Sequence, residues 1–231
     1  MRRTLDDFVK YYHLNAYQNT AMLDWIKNVY QPVLPVTITD GDLPQFLSVI
    51  YSCVRYYKPE VVVQTGTFIG TSSLAIAKSC KDNNKGVLFT IDPEPPAYFG
   101  VDEPVQIARR AVSHAQMQDN VHFLKGYSTV PNDKERMFLV PGEEWLLKEI
   151  AQKCSYDILV VDGDHTFEGC FNDLYYGAAG LSSKGPRLII VHDYLGIPSV
   201  KQAVRQCRQY FKSFDMKVVP SPCGIALIQL N

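Results

Sequence analysis

The chain has 231 residues, 46% of them hydrophobic and 20% charged, with a formal net charge of -1. That length suits one substantial α/β domain, or one domain with a short appendage, and the composition suffices for a sizeable core. Near-neutral charge argues against nucleic-acid recognition by bulk electrostatics and leaves only a local basic patch open, and no segment approaches the ~18 apolar residues of a membrane span.

The N-terminal stretch Met1-Arg2-Arg3-Thr4-Leu5-Asp6-Asp7 carries acids where a signal peptide needs an apolar core, so a cytoplasmic protein is expected. From Leu5 to Tyr30, apolar and aromatic residues recur at helical spacing (Phe8, Tyr11, Tyr12, then Met22, Trp25, Ile26, Val29), ended by Gln31-Pro32. Pro35 to Asp42 reads as a loop. Leu43 to Tyr57 reads as another amphipathic helix, closed by Lys58-Pro59. Residues 1–58 thus form a helical extension or cap, and its aromatics fit core packing, a homo-oligomer surface or a ligand cover equally well.

After Pro59 strands and helices alternate. Strands are expected at 60–64, 87–91, 121–124, 158–161, 187–191, 217–219 and 224–230, with helices at 71–79, 104–118, a segment ending near Lys153, 167–181 and 199–211. Five βα units and a strand-strand ending describe a doubly wound, mostly parallel Rossmann-like α/β sheet with an antiparallel edge, spanning 59–231. Lys201, Arg205, Arg208 and Lys212 lie at helical spacing and read as a solvated face. The six cysteines stand singly with no CxxC, which suits reduced thiols better than disulfides or a zinc knuckle.

Chemistry concentrates at strand ends. Val61-Val62-Val63-Gln64-Thr65-Gly66-Thr67-Phe68-Ile69-Gly70-Thr71-Ser72-Ser73 joins the first strand to its helix, with glycines for a tight turn and close helix packing. Its GxxxG spacing is not the GxGxxG dinucleotide fingerprint, which disfavours a dehydrogenase, and no GK[ST] follows. The second strand ends at Asp92, 26 residues beyond Gly66. Nucleoside-binding α/β domains place a ribose-binding acid there, and the blander reading is a cap for the turn before Pro93. The apolar run Ile158-Leu159-Val160-Val161 stops abruptly in Asp162-Gly163-Asp164-His165-Thr166-Phe167-Glu168-Gly169. Titratable groups at the tip of a buried strand pack poorly and suit chemistry.

Taken together, the Gln64–Ser72 loop, Asp92 and the Asp162–Gly169 motif resemble S-adenosylmethionine-dependent methyltransferases. The nearest branch is the small O-methyltransferase-like family that includes macrocin O-methyltransferase and relatives named cephalosporin hydroxylases. The resemblance runs from about Pro59 to Asn231 and implies a seven-stranded sheet with its last strand antiparallel. It implies that Gln64, Gly66, Gly70, Ser72, Asp92 and Asp162 bind the cofactor, with Ser128 near its adenine. The family usually carries glutamate where Gln64 stands, so the cofactor's amino group loses a charge attraction, which leaves weaker or absent binding open.

Strand five ends His192-Asp193-Tyr194, so Asp162, Asp164, His165, His192 and Asp193 converge on one sheet edge. Methyl transfer to a hydroxyl needs that oxygen partly deprotonated. A hard divalent cation such as Mg2+ would lower its pKa, leaving a histidine to take the proton. The resemblance implies Asp162 and Asp193 as ligands, with His192 where relatives often carry an acid and Tyr194 where some carry an asparagine ligand. An imidazole suits magnesium less well than a carboxylate. Metal-free base catalysis by His165 or His192 is the second reading, with Asp162 as the third catalytic candidate. The bland one has Asp164 and Thr166 capping the helix from Phe167, favoured by Glu168 in its first turn.

His13, His114 and His122 show no partner pattern, and Cys170 lacks a base in sequence. The expected function is methyl transfer from S-adenosylmethionine to a hydroxyl of a small-molecule acceptor, with specificity in the aromatic front end (Tyr11, Tyr12, Tyr17, Trp25, Tyr30) and the Tyr127–Val140 loop. The alternative is a non-catalytic nucleotide-binding or interaction protein on the same scaffold, motivated by Gln64 and His192.

Overall fold

The computed structural model describes residues 3–34, 43–129 and 145–230. The expected loop at 35–42 and most of that at 127–140 lie outside them.

Helices α1 (Leu5–Leu14), α2 (Ala16–Tyr30) and α3 (Leu43–Tyr57) precede the first strand. Sequence periodicity ran α1 and α2 together. The chain breaks at Asn15, whose side-chain amide donates to the Tyr11 carbonyl at 2.8 Å. Asparagine competes for helix carbonyls in this way, so no proline or glycine is needed for the break.

Strands β1 (Val61–Thr65), β2 (Val87–Asp92), β5 (Val121–Lys125), β6 (Ile158–Val161), β7 (Leu188–Val191), β8 (Asp215–Val219) and β9 (Ile225–Gln229) form one sheet in the order β5-β2-β1-β6-β7-β9-β8. All pairs are parallel except those of β9, which runs antiparallel one place in from the edge. A hairpin not expected from sequence, β3 (Ala97–Tyr98) with β4 (Val101–Asp102), occupies the proline-rich loop after β2.

Central strands here are buried on both faces, which explains their unbroken apolar runs. Alternate residues divide between two cores. Val62, Ile158, Val160, Leu188 and Ile190 pack with α1–α3, α4 (Thr71–Asp82) and α5 (Pro104–His114). Val63, Leu159, Val161, Ile189 and Val191 pack with α6 (Leu146–Lys153), α7 (Phe167–Ala179) and α8 (Pro198–Cys207). The three helices ahead of Pro59 therefore share an apolar cluster with the sheet.

No described helix is long and apolar enough to cross a membrane. None of the six cysteines is in a disulfide; Cys53, Cys80, Cys170 and Cys207 are buried. Burial pushes the Cys170 thiol upward, which makes it a poor nucleophile at neutral pH.

Sheet order reverses direction between β1 and β6. Open α/β sheets bind ligands outside the carboxyl ends of strands at such a switch point.

Candidate active site at the β1–β6 switch point

Gly66 and Asp162 meet at this point. Thr65 pairs with Val161, and the Asp162 N–H donates to the Thr65 carbonyl at 3.1 Å. Gly66 has φ +81°, and a Cβ there would lie 2.0 Å from the Asp162 carbonyl oxygen. Only glycine allows this approach, so the glycine loop and the acidic strand tip form a single structure.

Three side chains hold the loop. Gln64 is fully buried; its amide nitrogen donates to the Gly66 carbonyl at 2.5 Å and to Ser72 Oγ at 2.8 Å, while its oxygen accepts from Ser73 at 3.3 Å. Both amide hydrogens and the oxygen are committed. Gln64, expected to contact the cofactor, spends these groups on holding the loop from beneath. Asp92 accepts from the Thr67 N–H (2.9 Å), the Phe68 N–H (3.1 Å) and the Glu94 N–H (2.8 Å). The turn-capping reading of Asp92 thus holds geometrically, and a carboxylate with about four acceptor sites keeps one for a ligand hydroxyl. Third, the Tyr30 hydroxyl donates to the Ile69 carbonyl at 2.5 Å. Phe68 adopts φ +48°, a strained value for an aromatic residue, and its ring packs edge-on against Tyr98 and Phe99 of the hairpin.

At the tips of β6 and β7, two histidines and two aspartates interlock. His165 Nε2 lies 2.9 Å from Asp193 Oδ2 and 3.7 Å from Asp162 Oδ1. His192 Nδ1 lies 3.0 Å from Asp162 Oδ1 and 3.4 Å from Asp193 Oδ2. Asp193 takes φ +58°, which aspartate tolerates better than most residues. The Ser199 hydroxyl at the start of α8 donates to the His165 carbonyl at 2.6 Å. Phe46 of α3 stacks on the His192 ring, centroids 3.9 Å apart and planes within 15°. Tyr194 is buried beside these groups.

Burial alone would raise the carboxyls of Asp162 and Asp193. Hydrogen bonds and charge from the two histidines outweigh it for Asp162, and hydrogen bonding from His165 with both imidazole charges does so for Asp193, leaving both below the ordinary value. The carboxylates of Asp162 and Asp193 facing its Nε2 raise His165 to about 10 against the effect of burial. The cluster therefore stabilises the fold most between the unperturbed values of 3.8 and 6.5. Above 6.5 the His165 contribution fades toward about 10; below 3.8 the carboxylate contribution is lost.

One ligand atom each from Asp162, His165 and Asp193 lies within 4.8 Å of the others, a spacing that could hold a metal ion. The sequence reading placed His192 in that set; the structure turns His165 into it and sets His192 against Asp162 and Phe46. Asp164 and Thr166 serve the helix instead. Asp164 Oδ1 accepts from the Thr166 N–H at 2.8 Å, and Thr166 Oγ1 accepts from the Gly169 N–H at 3.1 Å.

A family model described as a methyltransferase domain matches residues 63–194. The chain belongs to this methyltransferase family. Solved structures agree in fold. An O-methyltransferase from Bacillus cereus in complex with SAH aligns at TM-score 0.60 and 13% identity, over 97% of this chain and 100% of that one. SAH-bound PaMTH1 from Podospora anserina aligns at 0.60 and 14%, over 92% and 87%. A methyltransferase from Geobacter sulfurreducens aligns at 0.58 and 17%, over 95% and 97%. No curated protein matches the sequence. The protein is a class I S-adenosylmethionine-dependent methyltransferase, with the strand order described above.

Its residues fit that cofactor. Gly66 and Gly70, both at positive φ, leave the loop backbone without Cβ atoms at the switch point, and α4 begins directly after Gly70. Asp92 retains acceptor capacity, and a cavity of about 330 Å³ opens beyond β2 and β5, lined by Glu94, Pro95, Pro96, Glu103, Val105, Gln106 and Lys125. Ser128, expected near the adenine, donates its hydroxyl to Asp173 Oδ1 at 2.6 Å.

Asp173 was not singled out from sequence, yet it is only 1% exposed. Its position among Gly169, Cys170, Leu174 and Gly177 on the buried face of α7 was the available signal. Thr129 also donates to Oδ1, at 3.3 Å. Burial pushes the carboxyl up to about 6 against the pull of the Ser128, Thr65 and Thr129 hydroxyls. A raised acid favours folding while neutral, so its contribution is full below 3.8 and lost as pH rises through about 6. Asp173→Asn keeps an acceptor for Ser128 and removes the ionisation. It is expected to stabilise the protein at pH 8 by on the order of 2 kcal/mol and to be neutral near pH 3.5, as read by urea unfolding at both pH values. Equal effects at both would refute the assignment.

Proposed function

We propose that this methyltransferase transfers a methyl group to a hydroxyl of a small-molecule acceptor at the Asp162–His165–Asp193 edge, with a divalent cation held there. The carrying observation is the convergence of those three ligand atoms within 4.8 Å, next to the strand tip that touches Gly66. The likeness to an O-methyltransferase from Bacillus cereus bound to SAH supports this reading.

S-adenosylmethionine would supply an electrophilic methyl on a positively charged sulfur. The loop Gly66–Gly70, the N-terminus of α4 and Asp92 would hold it, and Asp162 would border both ligands. Two carboxylates and one imidazole form a mixed donor set that suits manganese or another first-row cation better than magnesium. Such a cation would lower the pKa of an acceptor hydroxyl. His165 holds its proton tightly between two aspartates, so in the cation-free protein it makes a poor base. With its Nδ1 3.0 Å from the Asp162 carboxylate, His192 would donate Nδ1–H there when neutral and carry its lone pair on Nε2, the tautomer a general base requires. Phe46 fixes the plane of that ring.

The test incubates the protein with S-adenosylmethionine and a panel of phenols, catechols and sugars, in manganese or in EDTA, and reads products by mass spectrometry. A product one methyl heavier in manganese and absent in EDTA is expected. Equal yields in both arms would remove the cation, and methylation confined to amines or thiols would contradict the hydroxyl assignment.

A further inference from the structure

Tyr30 was grouped by sequence with the aromatics that would contact an acceptor. In the structure it is 1% exposed and faces the glycine loop. Its hydroxyl donates to the Ile69 carbonyl at 2.5 Å. Burial drives the phenol far above its ordinary pKa, so the group stays a donor.

The next residue, Gly70, has φ +82° and is the N-cap of α4. A Cβ at Gly70 would lie 2.5 Å from Ala108 Cβ and 3.5 Å from Tyr30 Oη, so the turn is pinched between α5 and α2. The Gly70 N–H already closes a turn on the Thr67 carbonyl at 2.8 Å. The peptide Tyr30 grips is thus the last one before the first turn of α4. Amides in that first turn have no intrahelical acceptor and are the groups an anionic ligand meets at a helix N-terminus. Rotation of the Ile69–Gly70 peptide would re-aim them. Asp92 fixes the preceding half of the loop through Thr67 and Phe68.

We propose that Tyr30 is a positioning residue for the cofactor: through Ile69 it sets the direction of the α4 N-terminus, so the helices ahead of β1 determine cofactor affinity without touching the ligand. The proposal rests on the assignment of the glycine loop to S-adenosylmethionine.

Tyr30→Phe in the full chain deletes one oxygen and keeps the ring. Loss of one buried hydrogen bond corresponds to a weakening of about tenfold, expected in the dissociation constant for S-adenosylhomocysteine by titration calorimetry. Faster hydrogen exchange at the Gly70 and Thr71 amides, with β1 and β6 unchanged, should accompany it. Tyr57→Phe is the control, since Tyr57 donates instead to the Thr4 carbonyl at 3.3 Å; it should lose comparable stability and keep wild-type affinity. Affinity within twofold of wild type in Tyr30→Phe, or equal weakening in both variants, would overturn the proposal. Failure of the wild type to bind would overturn the cofactor assignment itself, and this proposal with it.

Discussion

Asp162→Ala is expected to lower manganese affinity at least about a hundredfold. Asp162 supplies one of three ligand atoms within 4.8 Å, and its Oδ1 is also the 3.0 Å partner of His192. Losing a ligand removes a direct bond, whereas loss of an outer partner alone typically costs 10- to 100-fold. The substitution also leaves Asp193 to balance two imidazoles, so the remaining groups lose both charge and orientation. Asp164→Ala is the matched control. Asp164 is exposed and its Oδ1 is spent on the Thr166 N–H. Manganese titration of both variants decides the matter: comparable losses would mean that the whole motif acts by negative charge and that no three-ligand centre exists.

Gln64→Glu is expected to destabilise the protein by about 3 kcal/mol, although it restores the residue usual at this position. Glutamine donates to the Gly66 carbonyl and to Ser72, and a carboxylate can do neither unless Ser72 reverses its hydroxyl. An ionised group at a fully buried site, facing a carbonyl oxygen, carries an unrelieved desolvation cost. Urea unfolding at pH 7 checks the magnitude, and stability within 0.5 kcal/mol of wild type, a change usual only at unconstrained surface sites, would show that the loop does not depend on the amide donor. The residue at this position is thus explained by hydrogen-bond polarity inside the loop.

Much of the fold could be read from the chain because its signals are local. Val61-Val62-Val63, Ile158–Val161 and Leu188–Val191 are unbroken apolar runs, and strands buried on both faces are written that way. Gly66, Gly70 and the Asp162–His165 tip were legible for the same reason, since turn chemistry and strand-end acids lie within a few residues of the strands they terminate. The hairpin at Ala97–Asp102 was hidden by Pro95-Pro96, and its two-residue strands carry almost no periodicity. Partnerships across long sequence separations were invisible. Helical spacing shows that Tyr30 and Phe46 are buried, but nothing in it says that one reaches Ile69 and the other covers His192. Nor does a motif reveal which histidine faces the second aspartate. His165 and His192 both follow a strand tip, and only side-chain direction places His165 in the three-ligand set.

Titration of the wild-type protein with S-adenosylhomocysteine is the decisive measurement, because the glycine loop, Asp92 and Asp162 act as one site only if they share this ligand. A single binding event of micromolar affinity is expected, abolished or severely weakened by Asp92→Ala in protein that remains folded. No heat at millimolar ligand, with the fold intact, would contradict the account.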